Sequence, residues 1–144
     1  MGNDPKAADR AAVRGQRVYC SNRGRRGGCG RTFAFFLADV LPRHTLRASL
    51  VWPWLAEVLA GLSLKAAAEK LRLPFALETI YRLGRRLRRR VAVWRTRLYR
   101  EASPSASMHA DPLRQTLDHL QAVLAGSPCP PADFQLRFQM PFLG

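Results

Sequence analysis

The spacing of apolar and polar positions changes character along the chain. Residues 16–20 (QRVYC) and 31–37 (RTFAFFL) read as two short strands. The turn between them, SNRGRRGGCG, offers Gly27, Gly28 and Gly30 for positive φ angles, which predicts a hairpin. Pro42 marks residues 39–44 as a connector. Thr45 is placed to cap a helix to about Ala60, with Leu50, Val51, Trp54, Leu55, Val58, Leu59 and Leu62 as core candidates. Pro53 kinks or restarts that helix. Ser63 caps a second helix that turns Leu64, Ala67, Ala68 and Leu71 inward and ends at Pro74. A long third helix is predicted from Phe75 or Ala76 to about Glu101. Leu73, Leu77, Ile80, Leu83, Leu87, Val91, Trp94 and Leu98 recur at spacings of three and four and share one face. Asp111-Pro112 opens another helix, with Leu113, Leu117, Leu120 and Leu124 as its stripe and Gly126 as its stop. Phe134, Leu136, Phe138 and Met140 alternate with polar residues and predict an extended tail.

These elements give a mainly α fold. A helix-turn-helix-type core with a long basic helix follows a small β-hairpin. The expected organisation is a disordered segment 1–15, a zinc-ribbon-like hairpin and connector 16–44, a helical domain 45–102, and a linker, short helix and tail 103–144.

Charge sharpens this outline. The net formal charge is +14 over 144 residues, and it is uneven. Residues 62–100 carry twelve Lys/Arg against two Asp/Glu, whereas residues 33–61 carry two of each. The helical region displays Arg82, Arg85, Arg86, Arg88, Arg89 and Arg90 beside the apolar stripe, and Arg95, Arg97 and Arg100 beyond them. The hairpin turn adds Arg23, Arg25, Arg26 and Arg31. Arginine's planar fork suits phosphate oxygens, so a polyanionic partner follows, with nucleic acid ahead of a membrane surface. The start of the chain lacks an apolar signal segment, and Arg47, Pro53 and Glu57 interrupt the most apolar run. A cytoplasmic, non-membrane protein is expected.

Three cysteines suggest thiol or metal chemistry rather than disulfides. Cys20 and Cys29 flank the turn as candidate zinc ligands, with His44 close enough in sequence to be a third. A structural zinc site needs four ligands, so the pair is half of one. His109 and His119 read as surface residues. The carboxylates are scattered and no phosphate loop is present, so no enzyme is expected.

RVYCSNRGRRGGCGRTF resembles the second half of the zinc ribbon that opens many insertion-sequence transposases and related proteins. SLKAAAEKLRLPFALETIYR resembles the helix-turn-helix that follows it. The resemblance implies DNA binding of mobile-element type, with Cys20 and Cys29 as zinc ligands and Thr79, Tyr81 and Arg82 at the DNA. In three respects the chain departs from the pattern. The first cysteine pair is absent, Arg72 stands where the turn usually has glycine, and no catalytic domain follows. The expected function is a non-catalytic protein that binds double-stranded DNA, with a homodimer seam as another use of the apolar stripe. The rival readings are an RNA-binding or ribosome-associated protein and a helical oligomerisation module.

Overall fold

The structure is a computed structural model, and it describes residues 15–21, 23, 27–44 and 46–144. The expected disordered start therefore lies outside the described residues up to residue 14, as do Arg25, Arg26 and the expected cap Thr45. Among the described residues two strands precede five α-helices, a mainly α architecture. The chain divides between Leu37 and Ala38 into two units.

In the first unit, β1 (Gly15–Tyr19) pairs antiparallel with β2 (Thr32–Phe36). Gly15 lies opposite Phe36 and Tyr19 opposite Thr32. Beyond the last pair, Cys20 faces two residues. Its N–H donates to the Arg31 carbonyl at 2.9 Å, and its carbonyl accepts from Gly30 N–H at 2.9 Å. Gly30 has φ 66°. This is a bulge of the kind whose first residue needs the left-handed region, where glycine carries no Cβ penalty. Gly28 is constrained by space instead: a Cβ there would lie 2.0 Å from the Ser21 carbonyl oxygen. All ten strand residues are exposed, so neither face of the hairpin is covered.

The second unit is built from α1 (Ala48–Leu59), α2 (Leu64–Lys70), α3 (Leu77–Tyr99), α4 (Pro112–Val123) and α5 (Pro130–Phe138). The start of α1 uses a cap from farther back in the chain. Arg47 occupies the N-cap position without a side-chain cap bond. The Asp39 carboxylate supplies it, accepting Ser49 N–H at 2.8 Å and Ser49 Oγ–H at 3.2 Å. The helix runs through Pro53. The carbonyl that Pro53 leaves without a donor belongs to Ser49, an exposed residue that water can reach. Val51, Trp54, Leu55 and Val58 are buried as expected, whereas Leu50 is 38% exposed.

Ser63 does cap α2, its Oγ accepting Ala66 N–H at 3.1 Å. Ala67 and Ala68 are buried. Gly84 of α3 is buried too, and a Cβ on it would fall 2.5 Å from Leu64 Cδ1 at the start of α2. The glycine that weakens α3 as an isolated helix is thus what lets α2 approach it. Arg72, in the α2–α3 turn, has φ 51°. It adopts the backbone conformation that the missing glycine would have favoured.

On α3, Ile80, Leu83, Leu87, Trp94 and Leu98 are buried, but Leu77 is 44% exposed and leaves the stripe. Asp111 caps α4 and Pro112 occupies its first turn, as the sequence indicates. His119 is not the surface residue expected. It is buried, its Nε2 lies 2.8 Å from the Ala102 carbonyl, and its ring meets Tyr99 edge-on at 5.6 Å. A carbonyl only accepts, so Nε2 carries a proton.

The expected extended tail is instead α5. Pro130 and Pro131 sit at its first positions, Asp133 lies in its first turn and Arg137 in its last, the arrangement that suits a helix dipole. Phe134 and Phe138, four apart, pack with ring centroids 4.7 Å apart. Leu136, which the alternation would put on the same face, is 62% exposed. A 3.6-residue period therefore wins over a two-residue one.

Helix α3 packs against α2 and α4, and α1 packs against α2, α4 and α5. The end of the chain closes this core. Phe142 stacks on Trp94 with centroids 4.3 Å apart and meets Phe134 edge-on at 5.7 Å. The Gln135 side chain donates to the Ala38 and Val40 carbonyls at 2.7 and 2.8 Å and accepts Phe142 N–H at 3.0 Å. One amide thus ties the first residues of this unit to its last. Among the described residues, no helix is long and apolar enough to cross a membrane.

Candidate nucleic-acid interface

The arginines of α3 fall into two sets. One set is engaged by the protein itself. Arg90 is half-buried, and its Nε and Nη2 donate to the Phe142 and Pro141 carbonyls at 3.2 and 2.6 Å. Burial pulls its guanidinium below the ordinary value. Arg88 donates to the Asp111 carboxylate at 2.8 Å. Partial burial pushes the Asp111 carboxyl up. The Arg88 hydrogen bond and charge, with Leu113 N–H and Arg114, outweigh it and hold the group below its usual value. Arg86 is half-buried, its Nη1 3.3 Å from both ring nitrogens of His44. A guanidinium only donates, so it favours the neutral imidazole; burial first, then the Arg86 charge, lower the His44 pKa. Arg95 donates to Gln115 Oε1 at 3.0 Å.

The other set faces outward. Arg85 and Arg89 are exposed and make no ion pair or side-chain hydrogen bond with another described residue. Arg82 is exposed and pairs with Glu78 one turn back at 3.0 Å, with both side chains largely in solvent. Such a pair contributes little and is easily exchanged for another anion. Arg100 is exposed at the helix end. At 100° per residue, Arg82, Arg85, Arg89, Thr96 and Arg100 lie along one edge, about 27 Å long at 1.5 Å per residue. Tyr81 is 49% exposed beside this edge, whereas Thr79 is half-buried. Of the residues expected at DNA, the structure leaves Arg82, Arg85, Arg89 and Tyr81 open. It takes Arg90 into the fold, and it engages Arg86 and Arg88 in part. Periodicity alone could not make that division, because the partners of Arg88 and Arg90 lie 23 and about 50 residues away.

In the hairpin unit, Arg23 and Arg31 are exposed; Arg25 and Arg26 lie outside the described residues. Cys20 and Cys29 do come together: Cys29 N–H donates to Cys20 Sγ at 3.3 Å. That N–H first, and the Cys29 thiol second, draw the Cys20 thiol below its ordinary value. The pair suits a soft metal in donor type but supplies two of the four ligands a closed zinc site takes. Among the described residues no group of three or more His, Cys, Asp and Glu is placed to hold a metal ion. His44, the third ligand candidate, belongs to the helical unit beside Arg86. Cys129 is half-buried, and burial raises its thiol.

Comparison of the chain with family models, with curated proteins and with solved structures gave no match in any of the three.

Proposed function

We propose that the chain is a non-catalytic DNA-binding protein that lays the outward edge of α3 along duplex phosphates. The observation that carries this reading is the division of the arginines. Arg85 and Arg89 stay unneutralised on the outer edge of a rigid helix, with Arg82 and Arg100 in line. Holding like charges together without internal counter-ions costs stability, and a phosphate backbone offsets that cost. The helix-turn-helix reading rests on α2 and α3, which pack on each other with Leu64 against Gly84. In that reading the first turns of α3, with Glu78, Thr79 and Tyr81, face base edges, and the arginines fix register. The mobile-element character is carried by the resemblance of residues 16–100.

The test is a binding titration of the full chain against duplex DNA over a range of salt. With about three phosphates neutralised, log K should fall against log salt with a slope of roughly −3. Arg85→Glu/Arg89→Glu should weaken binding at least tenfold and flatten the slope by about 2 while leaving the thermal midpoint near that of the parent. Unchanged affinity in that variant would exclude this edge. Tighter binding to duplex RNA than to duplex DNA would move the reading to an A-form ligand.

A further inference from the structure

The hairpin carries a surface that binding of a duplex by α3 does not use. Its strands bury nothing, and Val18, Tyr19, Phe33, Phe35 and Phe36 are between 41% and 61% exposed. A two-stranded hairpin is marginal by itself, and exposed rings on both faces add a further cost in water. The register decides which side chains share a face. Phe33 lies opposite Val18 and Phe35 opposite Gln16. Alternate residues of a strand point the same way, so Arg31, Phe33 and Phe35 form one line at a pitch of about 7 Å. Arg31 joins that line because the Gly30 bulge keeps it in the ladder opposite Cys20.

Charge identifies the occupant. Every charged residue in 15–37 is an arginine: Arg17, Arg23, Arg25, Arg26 and Arg31. A second copy of the same hairpin would bring like charges together, which argues against self-pairing. An acidic protein would satisfy the arginines but gives the rings nothing flat to cover. Unpaired bases do both: each presents a π face to a ring and carries a phosphate within reach of a guanidinium. A duplex hides those faces in its own stack.

We infer that the hairpin is a platform for single-stranded nucleic acid, with Phe33 and Phe35 stacking successive bases and Arg31 holding the adjoining phosphate. This is distinct from the duplex edge on α3, and the two fail separately.

The experiment compares fluorescence anisotropy of a labelled oligothymidylate and a labelled duplex of equal length, each with the full chain. Phe33→Ala/Phe35→Ala should weaken single-strand binding by about tenfold or more and leave duplex binding unchanged. Phe33→Leu/Phe35→Leu, which keeps apolar bulk and removes the rings, should lose as much. Phe33→Tyr/Phe35→Tyr should retain binding, which separates stacking from a folding defect. Arg85→Glu/Arg89→Glu should give the opposite pattern, with duplex binding lost and single-strand binding kept. Single-strand affinity that is absent in the parent, or equal in the Leu and parent proteins, would overturn the inference. So would ring variants that lose binding to anionic vesicles, or change from dimer to monomer, while still binding oligothymidylate like the parent.

Discussion

Arg90 and Arg89 are neighbours in sequence, and they have opposite fates. Arg90 turns inward and satisfies the carbonyls of Pro141 and Phe142, while Arg89 stays in solvent. Arg90→Ala would remove the donor to the Pro141 carbonyl and one of two donors to the Phe142 carbonyl, which keeps Trp94 Nε1–H at 2.9 Å, so a loss of about 1–2 kcal/mol in urea unfolding is expected. Duplex affinity should change little once the variant is folded. Arg89→Ala should do the reverse. The sequence shows both as members of one basic run; the carbonyls of Pro141 and Phe142, 51 and 52 residues on, decide the difference. His44 gives a second residue-scale test. Its pKa in the folded protein lies below the ordinary 6.5. The unfolded chain therefore binds more protons as pH falls through about 6.5, and stability drops from there towards the folded pKa. Urea midpoints measured above and below that pH should show the decline, and His44→Gln should remove this contribution.

At the scale of elements, the helices whose signals are local were legible in advance. Ser63 caps α2 and Asp111 with Pro112 opens α4, each from a residue adjacent to its helix. The hairpin, too, follows from glycines within its own turn. What escaped was set by distant partners. Asp39 caps α1 from ten residues back, and nothing in the residues flanking Ala48 signals it. The last helix reads as a strand in the sequence because Phe134, Leu136 and Phe138 satisfy a strand pattern as well as half of a helical one. The prolines and the Asp133–Arg137 placement were the better guide. The open and closed arginines of the candidate interface were illegible for the same reason as the Asp39 cap. Gly84 offers the test of how tightly α2 and α3 are matched. Gly84→Val should cost about 1–3 kcal/mol in thermal or urea unfolding through overpacking against Leu64. Gly84→Ala should be milder, because the helix gains about 1 kcal/mol of propensity and the obstructing atom is the tip of a flexible side chain.

For the whole molecule, the helical unit is closed by contacts between residues far apart in sequence. Phe142, fully buried, fills the space between Trp94 and Phe134. Phe142→Ala should destabilise the unit by about 3–5 kcal/mol, and the change should appear in the near-ultraviolet dichroism of the Trp94 indole. Among the described residues of the hairpin unit there is no such closure, because all ten strand residues are exposed. Variants at Phe33 and Phe35 should therefore leave the urea unfolding of the helical unit unaltered.

The Gln135 amide has a consequence for the timing of synthesis. It needs the carbonyls near residue 38, which emerge early, and the backbone of residue 142, which comes more than a hundred positions later. Until that segment has left the ribosome, Trp94 and Phe134 lack their cover, and the nascent helices present apolar surface to whatever is nearby. A chain stalled shortly before this point would be a natural client for chaperones, and one extended past it would not.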